Sequence, residues 1–246
     1  MANIVIRECK TPEELSECVR LQKEVFKLPD IEISPARHLI VSRNAGGFTL
    51  GAYSGARLVG FVLSIVGYKN STPFFYSHMT AIDPEFQNMG IGATLKWAQR
   101  ERAIESNVEF IKWTFEPVKA RNAFFNLIKL GADVEEYAPN YYGTDYSAEK
   151  ADAVGIASDR LFAYWHLHDE RVEKLSRGEA SPIVGEPALE IKTINNWNEI
   201  VKSDPIGANQ IQEKIREEFE DAFSKNLVCK GFVRDAENPR YLLYSR

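Results

Sequence analysis

The segment from Gln87 to Gly92 has the sequence QNMGIG and lies between a run that predicts a strand and a run that predicts a helix. The first turn of a helix has N–H groups without partners and carries partial positive charge, so it attracts anions. Glycine, here Gly90 and Gly92, lets a phosphate approach the backbone because it has no Cβ. The segment therefore predicts a phosphate-binding turn.

Two common phosphate-binding motifs do not fit this turn. A P-loop requires the string GxxxxGK[ST], which the sequence lacks. A dinucleotide fingerprint requires GxGxxG after the first strand of a βαβ unit, whereas Leu95 occupies the third glycine position and the preceding strand is predicted to be the fourth. A simpler alternative is that Gly90 and Gly92 only shape a tight connection between a strand and a helix.

The string QNMGIG resembles the Q/R-x-x-G-x-G/A signature of the GCN5-related N-acetyltransferase (GNAT) superfamily, and its context, AIDPEFQNMGIGATL, resembles that family's strand–turn–helix pattern. The resemblance covers roughly residues 1–142. It implies acetyl-CoA, or another acyl-CoA, as co-substrate and transfer of the acetyl group to an amine of a small molecule. A second hypothesis is a non-catalytic acyl-CoA-binding or regulatory module on the same fold.

The resemblance also implies a set of cofactor-binding residues. The turn would bind the pyrophosphate, and backbone groups of the preceding strand would bind the pantetheine arm as an added strand does. Two asparagines, predicted one turn apart on the outer face of a later helix, complete the set. Its members are Thr80, Ala81, Ile82, Gln87, Asn88, Met89, Gly90, Ile91, Gly92, Ala93, Thr94, Asn122 and Asn126.

The catalytic residues are harder to assign because the sequence departs from the family pattern. The position of the family's usual acidic tyrosine is occupied by Leu127, and that of its common asparagine by Ala120. Tyr142, Glu116 and His78 are the candidates for proton transfer, since each follows or lies on a predicted strand of the site. The alternatives are a packing aromatic for Tyr142, a solvated or helix-capping carboxylate for Glu116, and a hydrogen-bonded core histidine for His78.

The surrounding elements predict an α/β (α+β) fold. The order is β-α-α-β-β-β-α-β-α-β, a GNAT-like mixed, mostly antiparallel sheet flanked by helices. One of its helices is predicted to run from about Lys119 to Leu130, with Gly131 as its C-cap. The helix after the glycine turn has apolar residues on two sides and should be covered on both.

The domain prediction places a GNAT-like acyl-CoA-binding domain at residues 1–145. Residues 146–246 would hold the last core strand and a C-terminal α+β extension that packs on the core. Residues 176–188 are predicted to form a linker, and a strand, an amphipathic helix and a hairpin are predicted after it. The extension would act as a lid, shape the acceptor site or form the surface of a homodimer.

Composition restricts the partners and the compartment. The net charge of −5 argues against nucleic-acid binding. No apolar run has the roughly 20 residues that cross a membrane, and the N-terminus lacks the apolar core of a signal peptide. Cys9, Cys18 and Cys229 are predicted to be free thiols, which with the other features predicts a cytoplasmic protein. His166 and His168 have a spacing that can ligate a metal, but no third ligand accompanies them, so no metal is predicted.

Overall fold

The computed structural model describes residues 3–144 and 155–246. The chain divides into two compact units, the first ending at Lys112 and the second starting at Trp113. Each unit combines strands and helices, which confirms the predicted α/β class. The predicted domain boundary near residue 145 stays a prediction.

The first unit contains a mostly antiparallel sheet in the order β1-β2-β3-β4-β5. Its first four strands pair antiparallel, whereas β4 and β5 pair parallel. The strands are β1 Ile4–Glu8, β2 Phe48–Ser54, β3 Arg57–Lys69, β4 Thr72–Ile82 and β5 Phe110–Phe115, the last of which crosses into the second unit.

Three helices accompany this sheet, α1 Pro12–Phe26, α2 Ala36–Asn44 and α3 Ile91–Glu105. A capping box fixes the start of α1, because the Thr11 hydroxyl accepts from the Glu14 amide and the Glu14 carboxylate accepts from the Thr11 amide. Short 3₁₀ turns at Asp30–Glu32 and Pro84–Phe86 precede α2 and α3. All three helices were predicted from the sequence.

A buried cluster joins α1 and α2 to the sheet of the first unit. It contains Leu15 and Leu21 from α1, Leu39 from α2, and Phe61 and Leu63 from β3, all of them fully buried. Cys9 and Cys18 are also buried there as free thiols, as predicted. Burial of such side chains contributes about 1.5–3 kcal/mol each, which makes this cluster the main support of β3 and of the strand beside it.

The second unit contains the strands β6 Asp133–Ala138, β7 Arg160–His166, β8 Leu189–Lys192, β9 Leu227–Val233 and β10 Arg240–Ser245. They lie in the order β7-β6-β9-β10-β8. The predicted C-terminal hairpin is β9 and β10, which pair antiparallel. A hydrogen bond within the second unit anchors β10, because the hydroxyl of the buried Tyr241 donates to the Pro117 carbonyl at 2.7 Å.

The prediction of one regular helix from Lys119 to Leu130 is wrong in one respect. Regular α-helix covers only α4, Ala120–Ala123, and Phe124–Lys129 form a π-helix. The wider turn has i→i+5 bonding, as in the bond from the Leu130 amide to the Phe125 carbonyl at 3.1 Å. The helix still ends at Gly131, whose φ of 75° is the left-handed conformation that favours glycine.

The remaining helices are α5 Glu170–Ser176, α6 Trp197–Ser203 and α7 Pro205–Ser224. Only α7 was predicted. β7 ends at His166 because Asp169 caps α5, its carboxylate accepting from the Arg171 amide at 2.8 Å. The predicted linker lies in residues 177–188, between α5 and β8.

No helix within the described residues has both the length and the apolar character that a membrane crossing requires.

Candidate functional site

The glycine turn lies directly before α3. Gly90 is the N-cap, with φ of 81° in the left-handed region, and Asn88 also has a positive φ of 64°. The Gly90 carbonyl accepts hydrogen bonds from the amides of Ala93 and Thr94, at 3.0 and 3.1 Å. In the described part of the chain, the amides of Met89, Gly90, Ile91 and Gly92 have no acceptor. The turn thus presents a row of available N–H donors at a helix N-terminus.

The presence of glycine has a different explanation at position 90 than at position 92. Gly90 needs its left-handed φ, which few other residues adopt. Gly92 has no such φ, and a Cβ added to it would meet only Ile82, with its Cγ1 at 3.9 Å. Neither the backbone nor the packing therefore requires glycine at position 92. The tight-turn alternative accounts for Gly90 but not for Gly92, whereas a phosphate lying against the backbone accounts for both.

Three polar side chains hold the turn in place. Gln87 Nε2 donates to the Ile82 carbonyl at 3.0 Å, so this side chain ties the turn to the end of β4. Asp83 is buried, accepts from the Glu85 amide at 3.1 Å and forms an ion pair with Arg57 at 2.7 Å. The sequence analysis missed the role of Asp83 and Arg57, which lie in different elements.

β4 leads from this turn to a point where the sheet opens. β4 pairs with β5 at two positions, Phe75 with Ile111 and Tyr76 with Lys112. From Ser77 onward the described ladder of β4 is with β3 alone, where Thr80, Ala81 and Ile82 pair with successive residues of that strand. Its other edge therefore has backbone groups that an extended ligand could pair with.

His78 lies in a bulge at the start of this open edge. Leu63 pairs with Met79 and Ser64 with Ser77, so His78 is the extra residue of β4. Its ring lies edge-on to that of His38 on α2, with centroids 6.3 Å apart. Desolvation by the surrounding protein atoms lowers the pKa of His78, although the residue is partly exposed, and the nearby His38 lowers it further. His38 was missed because no sequence pattern connects α2 with β4.

The other two catalytic candidates lie in the second unit. The Tyr142 hydroxyl is 3.5 Å from Thr114 Oγ1, which places this tyrosine beside the end of β5. Its amide donates to Ser158 Oγ at 2.7 Å, and the Arg160 guanidinium lies 5.1 Å from its ring centroid. Glu116 follows β5 and lies 3.9 Å from Lys119 Nζ. Glu116 and Tyr142 are thus both near the end of one strand.

The asparagine pair does not share an outer face as predicted. Asn122 is exposed, but Asn126 is buried and its Oδ1 accepts from Trp113 Nε1 at 3.2 Å. The π-helix is the reason, since its wider turn brings both Asn126 and Leu127 to the buried side. Leu127 is fully buried, so an apolar contact replaces the acid at that position.

The histidines considered as metal ligands do not form a site. Trp165 and Leu167 are buried, whereas His166 and His168 are exposed. Within residues 3–144 and 155–246, no group of three or more side chains of His, Cys, Asp or Glu is arranged to hold a metal.

A comparison with family models matches residues 11–131 to the Acetyltransferase (GNAT) family. The match includes α1, the strands β2 to β5 and the glycine turn. Residues 11–131 are a GNAT acetyltransferase domain. No curated protein matches the sequence.

Solved structures have the fold of this GNAT domain. The ribosomal-protein-S18-alanine N-acetyltransferase from Escherichia coli is 14% identical with a TM-score of 0.50, over 67% of this chain and 94% of that one. A putative GNAT acetyltransferase from Desulfovibrio desulfuricans is 13% identical with a TM-score of 0.53, over 67% and 99%. FeeM, an N-acyl amino acid synthase from uncultured soil microbes, is 13% identical with a TM-score of 0.51, over 72% and 95%. At these identities the likeness shows the fold. The family match supports an N-acetyltransferase.

Proposed function

We propose that this chain transfers the acetyl group of acetyl-CoA to an amine of a small molecule. The observation that carries the proposal is the start of α3, where the backbone of Gly92 lies open beside four amides without an acceptor. A pyrophosphate bound there would accept hydrogen bonds from amides and interact favourably with the helix dipole. A side chain larger than that of alanine at position 92 would occupy the same space.

The open edge of β4 supports the proposed path of the pantetheine arm. Thr80, Ala81 and Ile82 would exchange hydrogen bonds with the arm through their backbone groups. Ile82 to Ser77 is five residues, which corresponds to about 16 Å of strand. The acyl end of an arm that starts at the turn would then lie near the bulge at His78.

His78 is proposed to accept the proton that the acceptor amine loses. The lowered pKa of His78 keeps its imidazole neutral near pH 7, which a proton acceptor requires. Glu116 and Tyr142 are proposed as further proton-transfer groups near the end of β5. Gln87, Asn88 and the backbone from Met89 to Thr94 would hold the cofactor, while Asn122 and Asn126 stay predictions as cofactor ligands.

Calorimetry with acetyl-CoA tests the cofactor, and the absence of any binding would refute the proposal. Release of the CoA thiol in the presence of amino acids, peptides, polyamines and aminoglycosides then tests transfer. Binding without turnover on any amine would favour the non-catalytic acyl-CoA-binding module instead. The observation that keeps this second function open is the buried Leu127 at the position of the family's tyrosine.

The two candidates of the second unit are tested with matched pairs. Tyr142→Phe removes the hydroxyl near Thr114, and Tyr141→Phe is its control because Tyr141 also packs as an aromatic, against Phe162. Glu116→Gln removes the carboxylate but keeps its size. An unchanged rate in Tyr142→Phe, or an equal fall in both tyrosine variants, would remove Tyr142 from the mechanism, and an unchanged rate in Glu116→Gln would remove Glu116.

A further inference from the structure

A row of polar side chains is buried between α3 and the sheet of the first unit. Lys96 and Gln99 come from α3, Ser64 from β3 and Ser77 from β4, and each is at most 6% exposed. Lys96 Nζ donates to Ser77 Oγ at 3.1 Å and to Gln99 Oε1 at 2.7 Å. A lysine ammonium that is buried in this way is rare, because burial of a charge is costly unless hydrogen bonds compensate for it.

The row has a defined direction. Gln99 Nε2 donates to Ser64 Oγ at 2.8 Å, which fixes the amide so that its Oε1 faces Lys96. An ammonium has only donors, so the Ser77 hydroxyl must accept from Lys96. The hydroxyl keeps one proton of its own to donate, and no acceptor for it is present among the described residues. Ser77 is therefore the end of a chain of donors.

Ser77 lies where the sheet opens. The last pair of β4 with β5 is Tyr76 with Lys112, so Ser77 is the first residue of β4 beyond that ladder. His78 follows it. The two neighbouring side chains contact different helices, since Ser77 contacts Lys96 on α3 and His78 lies against His38 on α2. The Ser77 hydroxyl, a proton donor, and the His78 imidazole, a proton acceptor, thus lie at neighbouring positions on opposite sides of β4.

We propose that the Ser77 hydroxyl, supplied with a proton by Lys96, is the acid that protonates the leaving thiolate of CoA. This inference rests on the proposed function. It gives that function the acid which Leu127 cannot provide, because an apolar side chain has no proton to donate. Ser77 is the catalytic residue of the pair, and Lys96, held by Gln99, is a positioning and proton-supplying residue.

The proton balance of the step is complete. The amine nitrogen attacks the thioester carbonyl carbon, the C–N bond forms, and the C–S bond breaks with its electron pair on sulfur. The amine gives one proton to His78. Sulfur takes the proton of the Ser77 hydroxyl, and the Lys96 ammonium returns a proton to the Ser77 oxygen. His78 loses its proton to solvent, and Lys96 takes one proton from solvent before the next turnover.

Burial supports this role of Lys96. Desolvation lowers the pKa of the Lys96 ammonium well below its ordinary value, which makes it a stronger acid than a lysine at the surface. The same desolvation strengthens hydrogen bonds from the ammonium to Ser77 and Gln99.

The test uses steady-state release of the CoA thiol with the amine that reacts fastest in the panel. Ser77→Ala and Lys96→Met should each lower kcat by about 100-fold, the scale of a lost general acid, while the KM for acetyl-CoA stays within about threefold. Ser77→Thr keeps a hydroxyl and should recover most of the rate. The control is Ser42→Ala, because Ser42 is as buried as Ser77 and its hydroxyl donates to the Ser64 backbone carbonyl at 3.5 Å rather than to a side chain of the row.

A wild-type protein that binds acetyl-CoA but transfers to no amine would refute the proposed function. If wild type is active and Ser77→Ala retains its rate, or Tyr142→Phe alone abolishes it, the inference is overturned while the proposed function stands.

A second measurement needs no acceptor. The absorbance of the CoA thiolate is followed against pH, with free CoA bound to wild type and to Lys96→Met. A nearby ammonium favours the thiolate, so the pKa of the bound thiol should be higher by about 1 in the variant. Equal pKa values in the two complexes would show that Lys96 does not act on the thiol.

Discussion

Gly92 on α3 lies beside Ile82 at the end of β4, whose Cγ1 would be 3.9 Å from a Cβ at position 92. That distance is an ordinary van der Waals contact, so the protein accommodates alanine there. Gly92→Ala should leave the fold unchanged and raise helix stability by up to about 1 kcal/mol. The family signature allows alanine at this position, so the Kd of Gly92→Ala for acetyl-CoA should stay within about threefold of wild type, whereas the larger side chain of Gly92→Leu would occupy the space proposed for the pyrophosphate and should raise the Kd at least about tenfold. Calorimetry and thermal unfolding measure the two effects.

Glu101→Ala is the matched control for both variants of Gly92, since Glu101 is exposed on the same helix and distant from its first turn. Its Kd should equal that of wild type. If Gly92→Leu binds acetyl-CoA as tightly as Glu101→Ala does, the phosphate site is elsewhere.

The sequence predicted the elements around this turn because local rules determine them. Thr11 and Glu14 form a capping box, Gly90 begins a helix, and the apolar run of β4 is long. The buried polar row that contains Lys96 and Gln99 was not predicted, because a lysine and a glutamine in a helix usually face solvent. Lys96 and Gln99 face inward because they bond to Ser77 and Ser64, which lie on two different strands.

The site was predicted best where it depends on the backbone. The turn at residues 87–92 is a local feature, and its position before α3 follows from the sequence. Asn126 shows the opposite case, since a π-helix turned it inward and no residue type specifies a π-helix. His38 and His78 are 40 positions apart and meet through the packing of α2 on β4, which the sequence does not encode locally.

The capping box of α1 predicts a dependence of stability on pH. Burial by itself would raise the pKa of Glu14, but hydrogen bonds from the Lys10 and Thr11 amides and from Arg7 outweigh it and lower the pKa to about 2. The pKa of a glutamate in an unfolded chain is about 4.3. The stabilisation is therefore complete above that value and is lost as the pH falls toward about 2.

Glu14→Gln should accordingly destabilise α1 by about 1 kcal/mol at pH 7, by roughly half of that at pH 3 and by much less near pH 2. Hydrogen exchange of the α1 amides measures this locally. Glu13→Gln is the control, because Glu13 lies in the same turn and is exposed. A difference between the two variants that stays constant from pH 7 to pH 3 would contradict this assignment.

Asp159 and Arg216 form an ion pair in the second unit whose carboxylate is buried. The guanidinium donates two hydrogen bonds of 2.9 Å to the buried carboxylate, which also accepts from the Tyr137 hydroxyl at 2.6 Å and from the Asn140 amide at 2.9 Å. Arg216→Met leaves this carboxylate buried without its cation and should cost about 3 kcal/mol. Hydrogen exchange of the amides of α7 is the measurement.

Lys214→Met tests whether loss of any cation on α7 has the same effect. Lys214 is exposed and lies 3.9 Å from Glu218, so its removal should cost less than about 1 kcal/mol. Similar protection losses in the two variants would mean that the pair with Asp159 has no special importance for this helix.

His78 and His38 predict how the transfer rate depends on pH. Because desolvation and His38 lower the pKa of His78, the fall of kcat/KM on acidification should lie below the ordinary value of about 6.5. His78→Gln should lower kcat/KM by about 100-fold and abolish that acid limb. His38→Gln removes the neighbour that lowers the pKa of His78, so the limb should move to higher pH. The shift of the limb between wild type and His38→Gln therefore measures how strongly His38 acts on the pKa of His78. A structural role of His38 alone would lower the rate at every pH but leave the limb in place, and that result would exclude His78 as a proton acceptor whose pKa depends on His38.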